Sequence, residues 1–438
     1  MRRAAAIALL LAAALASGPA RGQPGAPAVH SQTIAVDNVT AARLLIELGD
    51  WPHAVQVLEA VVALDPSNEE AWFLLGMARR GEGDERAAAA AFRQATTLRP
   101  TLPRPWLELG RSLTEIKDWE GAKAAFDEGL RLADNRTVRR NIRKYLEIID
   151  DNRTFSYWVA TRMQPDTNPA AASGDKVVNI GGIPYVLNTP QQKQSSIGAG
   201  VLAGARYGPW LSDTTRILVE VGYSGIHFLH ACCSDDNFAA AVGPAFRLGD
   251  FTISPQAYYR YRFYDDKAYS SEQGGRLAIT YTRPSWRVAA GAEGGATQLV
   301  GIDVPGTVAR GFLSADVALT DRLSLGATLR FERDNYPIPS QAFSAPAVEL
   351  RAGFLGPWEL PVNLWAAAMY RAYDGATLTS SGVRADHYWG GGVTVLLDVL
   401  TIWGVSPSIG FAYESEASND PLGRFNRLTG LLGVAKVF

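Results

Sequence analysis

From Asp151 to Phe438 the chain alternates, and this limits what it can fold into more than any other feature. Runs of about ten residues put an apolar side chain at every second position, with polar or small residues between. Ile217, Val219, Val221 and Tyr223 share one parity, and Arg216, Glu220 and Gly222 the other. Tyr259, Tyr261 and Phe263 alternate with Tyr258, Arg260 and Arg262. Trp286, Val288, Ala290 and Ala292 alternate with Arg287 and Glu293. Leu323, Leu325, Leu329 and Phe331 alternate with Ser324, Thr328, Arg330 and Glu332, and Trp403, Val405, Ile409, Phe411 and Tyr413 with Ser406, Ser408 and Glu414. One such strand fits an ordinary half-buried sheet. A long series without intervening helix fits a barrel. The polar parity carries arginines and glutamates that a dry core rejects. A wet lumen accepts them, and the apolar parity then faces lipid. The candidate lumen residues are Arg216, Glu220, Arg260, Arg262, Arg287, Glu293, Arg330 and Glu332.

The pattern predicts about fourteen strands, an even number as a single-chain outer-membrane barrel requires. They fall at 154–164, 197–207, 213–224, 237–248, 251–263, 273–283, 285–297, 307–319, 323–333, 343–354, 358–372, 383–397, 401–414 and 425–438. Short turns are expected at Gly208-Pro209, Gly249-Asp250, Arg283-Pro284, Thr320-Asp321, Gly356-Pro357 and near Asp398. Long loops are expected at 166–196, 225–236, 264–272, 298–306, 334–342, 373–382 and 415–424. A soluble β-sandwich is the competing fold, but it explains neither this asymmetry nor the terminal Phe438, a barrel-insertion signal that barrel-assembly machinery would read. Lys436 departs from the apolar residue usual at that spacing.

The preceding region repeats every 34 residues, the tetratricopeptide (TPR) period. One copy carries Trp72, Leu75, Gly76, Gly83, Ala88, Phe92, Ala95 and Pro100. The next carries Trp106, Leu109, Gly110, Ala122 and Phe126, and the one before Gly49, Ala54, Leu58, Val61 and Pro66. Each unit is two antiparallel helices. Small residues let them approach, large ones fill the space between units, and proline ends the second helix. The third copy departs, with Gly129 for the usual alanine and Asp134 for the proline. A polar helix over 137–150 caps the stack, its basic run Arg139, Arg140, Arg143 and Lys144 a solvated face. The first helices line a concave groove with Arg43, Glu70, Phe73, Met77, Arg80, Arg104, Leu107 and Arg111. Arginines outnumber the single acid there. The groove suits an acidic or extended peptide segment, and a plain spacer with exposed charge is the competing reading.

Arg2 and Arg3 followed by the apolar run Ala4–Leu15 read as a signal peptide over 1–22, too short for a membrane span. A linker follows at 23–35. The chain thus divides into a periplasmic TPR domain at 36–152 and an outer-membrane barrel at 153–438. The fold class is α + β: an N-terminal TPR α-solenoid, then a transmembrane antiparallel β-barrel with long loops outside the cell. A net charge of −2 offers no bulk basic field for nucleic acid. Forty-two glycines and eleven tryptophans suit a barrel wall with aromatic girdles. The two cysteines, Cys232 and Cys233, are adjacent, which excludes a disulfide framework. An incidental loop pair is the simpler reading, and a strained vicinal disulfide the sharper one.

No catalytic constellation stands out, and no cofactor or metal is implied. His227, His230, Cys232, Cys233, Asp235 and Asp236 share one loop, read as solvated surface because their spacing matches no known ligand set. Asp386-His387 lies in a strand without a nucleophilic partner.

A signal peptide, a few TPR units and a barrel of about fourteen strands together resemble the surface lipoprotein assembly modifier (Slam) family, the type XI secretion translocators. The resemblance covers nearly the whole mature chain. Gln164-Pro165-Asp166-Thr167-Asn168 is similar to the Pro-Asp-polar-Asn segment after that family's first strand, and Ser418-Asn419 to its last hairpin. The resemblance implies a translocator that moves a secreted or surface-displayed client protein, often a lipoprotein, across the outer membrane without covalent chemistry. A TPR-bearing exopolysaccharide export porin is one alternative, though those usually have more repeats. A passive porin with a scaffold domain is another.

Overall fold

The computed structural model describes residues 37–437, apart from 181–182, 189–191, 231–232, 284, 321 and 402–404. The expected signal peptide and linker, Trp403 and the terminal Phe438 lie outside the described residues. Among the described residues seven helices come first: α1 (Asn38–Glu47), α2 (Trp51–Leu64), α3 (Glu69–Gly81), α4 (Glu85–Leu98), α5 (Pro103–Glu115), α6 (Trp119–Leu132) and α7 (Arg136–Asn152).

The 34-residue period is written into the packing. Gly76 faces Phe92 so closely that a Cβ would sit 2.5 Å from the ring, and Gly110 meets Phe126 in the same way at 2.9 Å. The Trp72 indole donates to the Pro66 carbonyl at 3.0 Å, and Trp106 to Pro100 at 2.9 Å. Asp84 caps α4 and Asp118 caps α6, each accepting a backbone N–H three residues on. The second residue after each first helix takes a left-handed φ: Gly49 at 74°, Gly83 at 85°, then Lys117 at 61°. Lysine pays a steric cost there that glycine avoids. Gly129, the oddity of the third copy, makes room for Leu107, whose Cδ2 would lie 2.9 Å from an added Cβ. The core falls in two clusters, one around Leu58 and Leu75 and one around Phe92, Phe126, Ile142 and Ile149, with Phe73 packed against both.

Fourteen antiparallel strands close the barrel: β1 (Phe155–Asp166), β4 (Ser196–Tyr207), β5 (Thr215–Phe228), β6 (Asp235–Leu248), β7 (Phe251–Tyr264), β8 (Lys267–Arg283), β9 (Trp286–Leu299), β10 (Val304–Thr320), β11 (Leu323–Asn335), β12 (Phe343–Leu355), β13 (Pro361–Ala376), β14 (Val383–Leu396), β15 (Ser406–Ser418) and β16 (Phe425–Val437). Neighbours in sequence pair, and β1 closes on β16. One short hairpin stands apart, β2 (Val177–Ile180) with β3 (Ile183–Val186), inside the stretch expected to be loop at 166–196.

The alternation has the expected sense. Val221, Tyr259, Leu325, Leu329 and Phe331 are exposed on the outer wall. Tyr258, between Tyr259 and its neighbours, is buried inward. In water this would be an uncovered apolar belt. A bilayer covers it, so the closed barrel fits an outer membrane. No described helix is long and apolar enough to cross a membrane.

Three expectations about connections are corrected. The loop expected at 264–272 is a two-residue turn, Asp265-Asp266, both with positive φ. The strand expected from 401 is described from Ser406, residues 402–404 lying outside the described residues, and that expected from 358 begins at Pro361, after a single turn at Pro357–Glu359. The physical reason is common to the first case and the extended tips of β8 and β10. Beyond the bilayer both faces of a strand meet water, so hydrophobic alternation stops while backbone pairing continues. Loop lengths are accordingly less unequal than the sequence pattern implied.

Candidate functional site

The eight groove residues lie on α1, α3 and α5, and the structure links them from helix to helix. Arg43 pairs with Glu70, joining α1 to α3. The Arg104 guanidinium lies 5.1 Å from the Phe73 ring centroid, joining α5 to α3. Arg80 reaches from α3 to α5. It pairs with Glu108, donates to the Glu108 carbonyl at 2.8 Å and to Ser112 Oγ at 3.0 Å, and stacks 5.0 Å from the Phe92 centroid. Met77 and Leu107 pack half-buried against the second core. Arg111 lies 5.8 Å from the Tyr145 centroid on α7.

This changes the electrostatic reading. Glu108, 8% exposed, is a second acid that the sequence reading missed. Its place at helical spacing from Arg104 and Arg111 was the available signal. Arg43 is spoken for by Glu70 and Arg80 by Glu108, so Arg80 ties repeats together. The basic character offered to solvent comes from Arg104 and Arg111, both exposed; Arg111 reaches Glu108 only at 3.4 Å.

The helical domain is anchored to one mouth of the barrel. The C-terminus of α7 leaves carbonyls that no further helical turn satisfies. Arg206 of β4 donates to the Asp150 carbonyl. Arg216 of β5 donates to the Asp151 carbonyl at 2.7 Å, and the Trp210 indole to the Asn152 carbonyl at 3.2 Å. Arg247 of β6 donates to Asn152 Oδ1 at 3.0 Å. Arg216 and Arg247 also lie 5.1 and 4.6 Å from the Trp210 ring centroid. Three cations at a helix C-terminus complement its dipole, each by about 0.3–1 kcal/mol. Burial pushes the Asp150 carboxyl above its ordinary value. All three arginines occupy the inward parity, so the helix end docks over the lumen mouth. Arg216 therefore belongs to this junction, away from the lumen path. Arg206, Trp210 and Arg247 were missed because nothing local separates a junction arginine from a lumen arginine.

Above the junction the inward wall is a network of ion pairs. Arg260 binds Glu293 through two nitrogens, both at 2.8 Å, and Glu272 at 2.9 Å. Arg310 joins Glu272 at 2.7 Å, Glu332 at 2.8 Å and Glu293 at 3.2 Å. One belt thus spans β7 to β11. Arg276 pairs with Glu220 at 2.6 Å, Arg262 with Asp235 at 2.7 Å, and Arg330 with Glu349 at 2.6 Å. Of the eight expected lumen residues, Glu220, Arg260, Arg262, Glu293, Arg330 and Glu332 fall in these pairs. Arg287 lies exposed near the short-turn end, beside a cavity of about 580 Å³ also lined by Asp316 and Arg351. Arg310, the hub, and Glu272 were missed.

At the opposite mouth the chain folds over the lumen. Thr167 N–H donates to the Leu428 carbonyl at 3.0 Å, and Leu428 N–H to Thr167 Oγ1 at 2.8 Å. Asn168 is fully buried, its Nδ2 donating to the Ala172 and Asn426 carbonyls at 2.8 and 3.3 Å. The residues that follow, Pro169 to Ala171, meet Arg162, Arg262 and Arg427 around a cavity of about 390 Å³. The Ser418-Asn419 segment is also structural. Ser418 Oγ donates to the buried Asp386 at 2.6 Å, and Asn419 bonds Ala385 N and the Val383 carbonyl at 2.9 and 2.8 Å. Next to it, burial works against the Asp420 charge, but the hydroxyls of Thr379 and Thr377 outweigh it and hold the carboxyl below its ordinary value. On the same rim Cys233 is disulfide-bonded; Cys232, the other cysteine of the expected pair, lies outside the described residues.

Residues 39–103 match the family model described as tetratricopeptide repeat. No curated protein matches the chain. Among solved structures, the type III secretion translocator chaperone SycD of Yersinia enterocolitica is 18% identical, over 26% of this chain and 80% of that one, with a TM-score of 0.25. SycD bound to a peptide of the translocator YopD is 18% identical over 26% and 88%, again at 0.25. OmpT of Vibrio cholerae lacking loop L8, an outer membrane protein, is 10% identical over 65% of this chain and 99% of that one, at 0.39.

Proposed function

We propose that this chain is an outer-membrane translocator in the manner of the Slam family. Its TPR groove would capture a client protein in the periplasm, and the barrel would pass the client to the cell surface. The observation that carries the reading is the junction. Arg206, Trp210, Arg216 and Arg247 hold the end of α7 over the lumen mouth, so a client held in the groove is delivered there. An independently tethered scaffold would need no such clamp. The two segments similar to the Slam family also fasten the outer rim, Asp166 to Asn168 to β16 and Ser418-Asn419 to β14. The ion-paired lumen and the segment folded over its mouth count against a passive porin, which needs a standing aqueous path. The reading asks no covalent chemistry of the chain, and it puts the long loops outside the cell.

The test is co-expression with a candidate client, followed by protease shaving of whole cells. The client should become protease-sensitive only when this protein is present. Equal protection with and without it ends the translocator reading. Arg104→Glu with Arg111→Glu should lower display several-fold while barrel insertion stays normal. Unchanged display would return the groove to the role of spacer.

A further inference from the structure

We propose that the barrel rim opposite the helical domain carries a binding site for a divalent transition-metal ion, formed by His227, Asp236 and Asp266. The three come from separate elements: the end of β5, the start of β6 and the turn between β7 and β8. One ligand atom from each lies within 4.8 Å of the others. Small side-chain rotations close that spacing onto an ion about 2.0–2.2 Å from each donor.

The donors are held in place from two sides. The Tyr223 hydroxyl donates to Asp236 Oδ1 at 2.7 Å, and His227 Nε2 lies 3.1 Å from the same oxygen. The turn that carries Asp266 is fixed by the segment that carries the disulfide. Asp265 N–H donates to the Ser234 carbonyl at 2.8 Å, Cys233 N–H to Asp265 Oδ1 at 3.2 Å, and Ser234 Oγ to Asp266 Oδ1 at 3.4 Å. Positive φ at Asp265 and Asp266 turns the hairpin tightly enough to bring the Asp266 carboxylate back to β5 and β6.

Charge points the same way. The lumen carboxylates meet arginines, whereas among the described residues the ion-pair partner of Asp236 is His227, and Asp266 has neither arginine nor lysine. One imidazole nitrogen with two carboxylate oxygens is the donor set of a borderline ion such as zinc, where calcium prefers oxygen alone. The cluster also faces outward. Tyr223 lies tilted against Phe238 at 5.0 Å and Phe238 meets Phe263 edge-on at 6.2 Å, an aromatic patch on the outer wall just below it. The site is therefore separate from the ion-paired lumen and independent of the translocator reading.

The test is calorimetric titration of the untagged full-length protein in detergent with Zn²⁺. Wild type should bind one ion, and His227→Ala and Asp266→Asn should each weaken binding at least tenfold. Asp266→Asn keeps the side-chain size, and the heat-dependent gel shift checks that both variants stay folded. His230→Ala, on the same rim but outside the cluster, should bind as wild type does. No binding by wild type, or equal binding by wild type and both cluster variants, overturns the site. Tighter binding of Ca²⁺ than of Zn²⁺ overturns the donor-set assignment.

Discussion

In the solenoid, apolar side chains converge and arginines stay near the surface. In the barrel, arginines converge and apolar side chains point out. Phe92 of the solenoid is fully buried, and Phe331 of the barrel is 51% exposed. Arg104 reaches over a groove, while Arg310 lies inside among four carboxylates. One chain thus satisfies two solvents. Water drives the first arrangement by hydrophobic burial. Lipid inverts the second, because it wets an apolar wall and leaves charge only a lumen in which to pair.

The inversion predicts which substitutions hurt which region. Phe92→Ala should be the most damaging, by about 3–5 kcal/mol, because the ring is fully buried and fills the space beside Gly76. The helical signal at 222 nm should melt earlier while the barrel's heat-dependent gel shift stays put. If both move together, the two regions are one cooperative unit. Arg310→Met should act in reverse. It leaves Glu272, Glu293 and Glu332 short of a cation, which costs about 3 kcal/mol at a partly wet site. The barrel transition should fall with the helices untouched; an unchanged barrel would mean that lumen water already screens the pairs.

Smaller effects sharpen the comparison. Lys117→Gly relieves a left-handed lysine at a position where the other two repeats have glycine, and should stabilise the helical domain by about 1 kcal/mol. The lost contact to Asp213, 3.7 Å between exposed side chains, should hardly matter. A drop in melting temperature would refute that account. The smallest effect is local and pH-dependent. The Asp420 carboxyl sits below its ordinary value, so its contribution is complete above about pH 4 and is lost as pH falls through the lower folded value. Hydrogen exchange of 377–382, corrected for intrinsic rate, should therefore rise only in acid. Protection already lost at pH 5 would contradict the assignment of Thr377 and Thr379 as its anchors.

Much of the architecture was legible because both domains are periodic. Gly76, Ala88 and Phe92 recur because each repeat must fit the same neighbour. The strand parities recur because each strand meets the same two solvents. The strand ends were less legible. Outside the bilayer, alternation has nothing to report, so β8 begins at Lys267 in what looked like loop. The groove was legible as a set of positions, but its charge was not, since Glu108 cancels Arg80 only through a contact 28 residues away in sequence.

Sequence alone determined the number of strands, the repeat spacing and which face of each strand meets lipid. These follow from local periodicity, which each short window carries by itself. Only the tertiary structure decided which arginine does what. Arg206, Arg216 and Arg247 close on a helix end, Arg260 and Arg310 on carboxylates from other strands, and Arg80 on the next repeat. His227, Asp236 and Asp266 became neighbours in the same way. A charge takes its role from its partners, and partners here are chosen by strand register and helix stacking, which bring together residues that no local pattern connects.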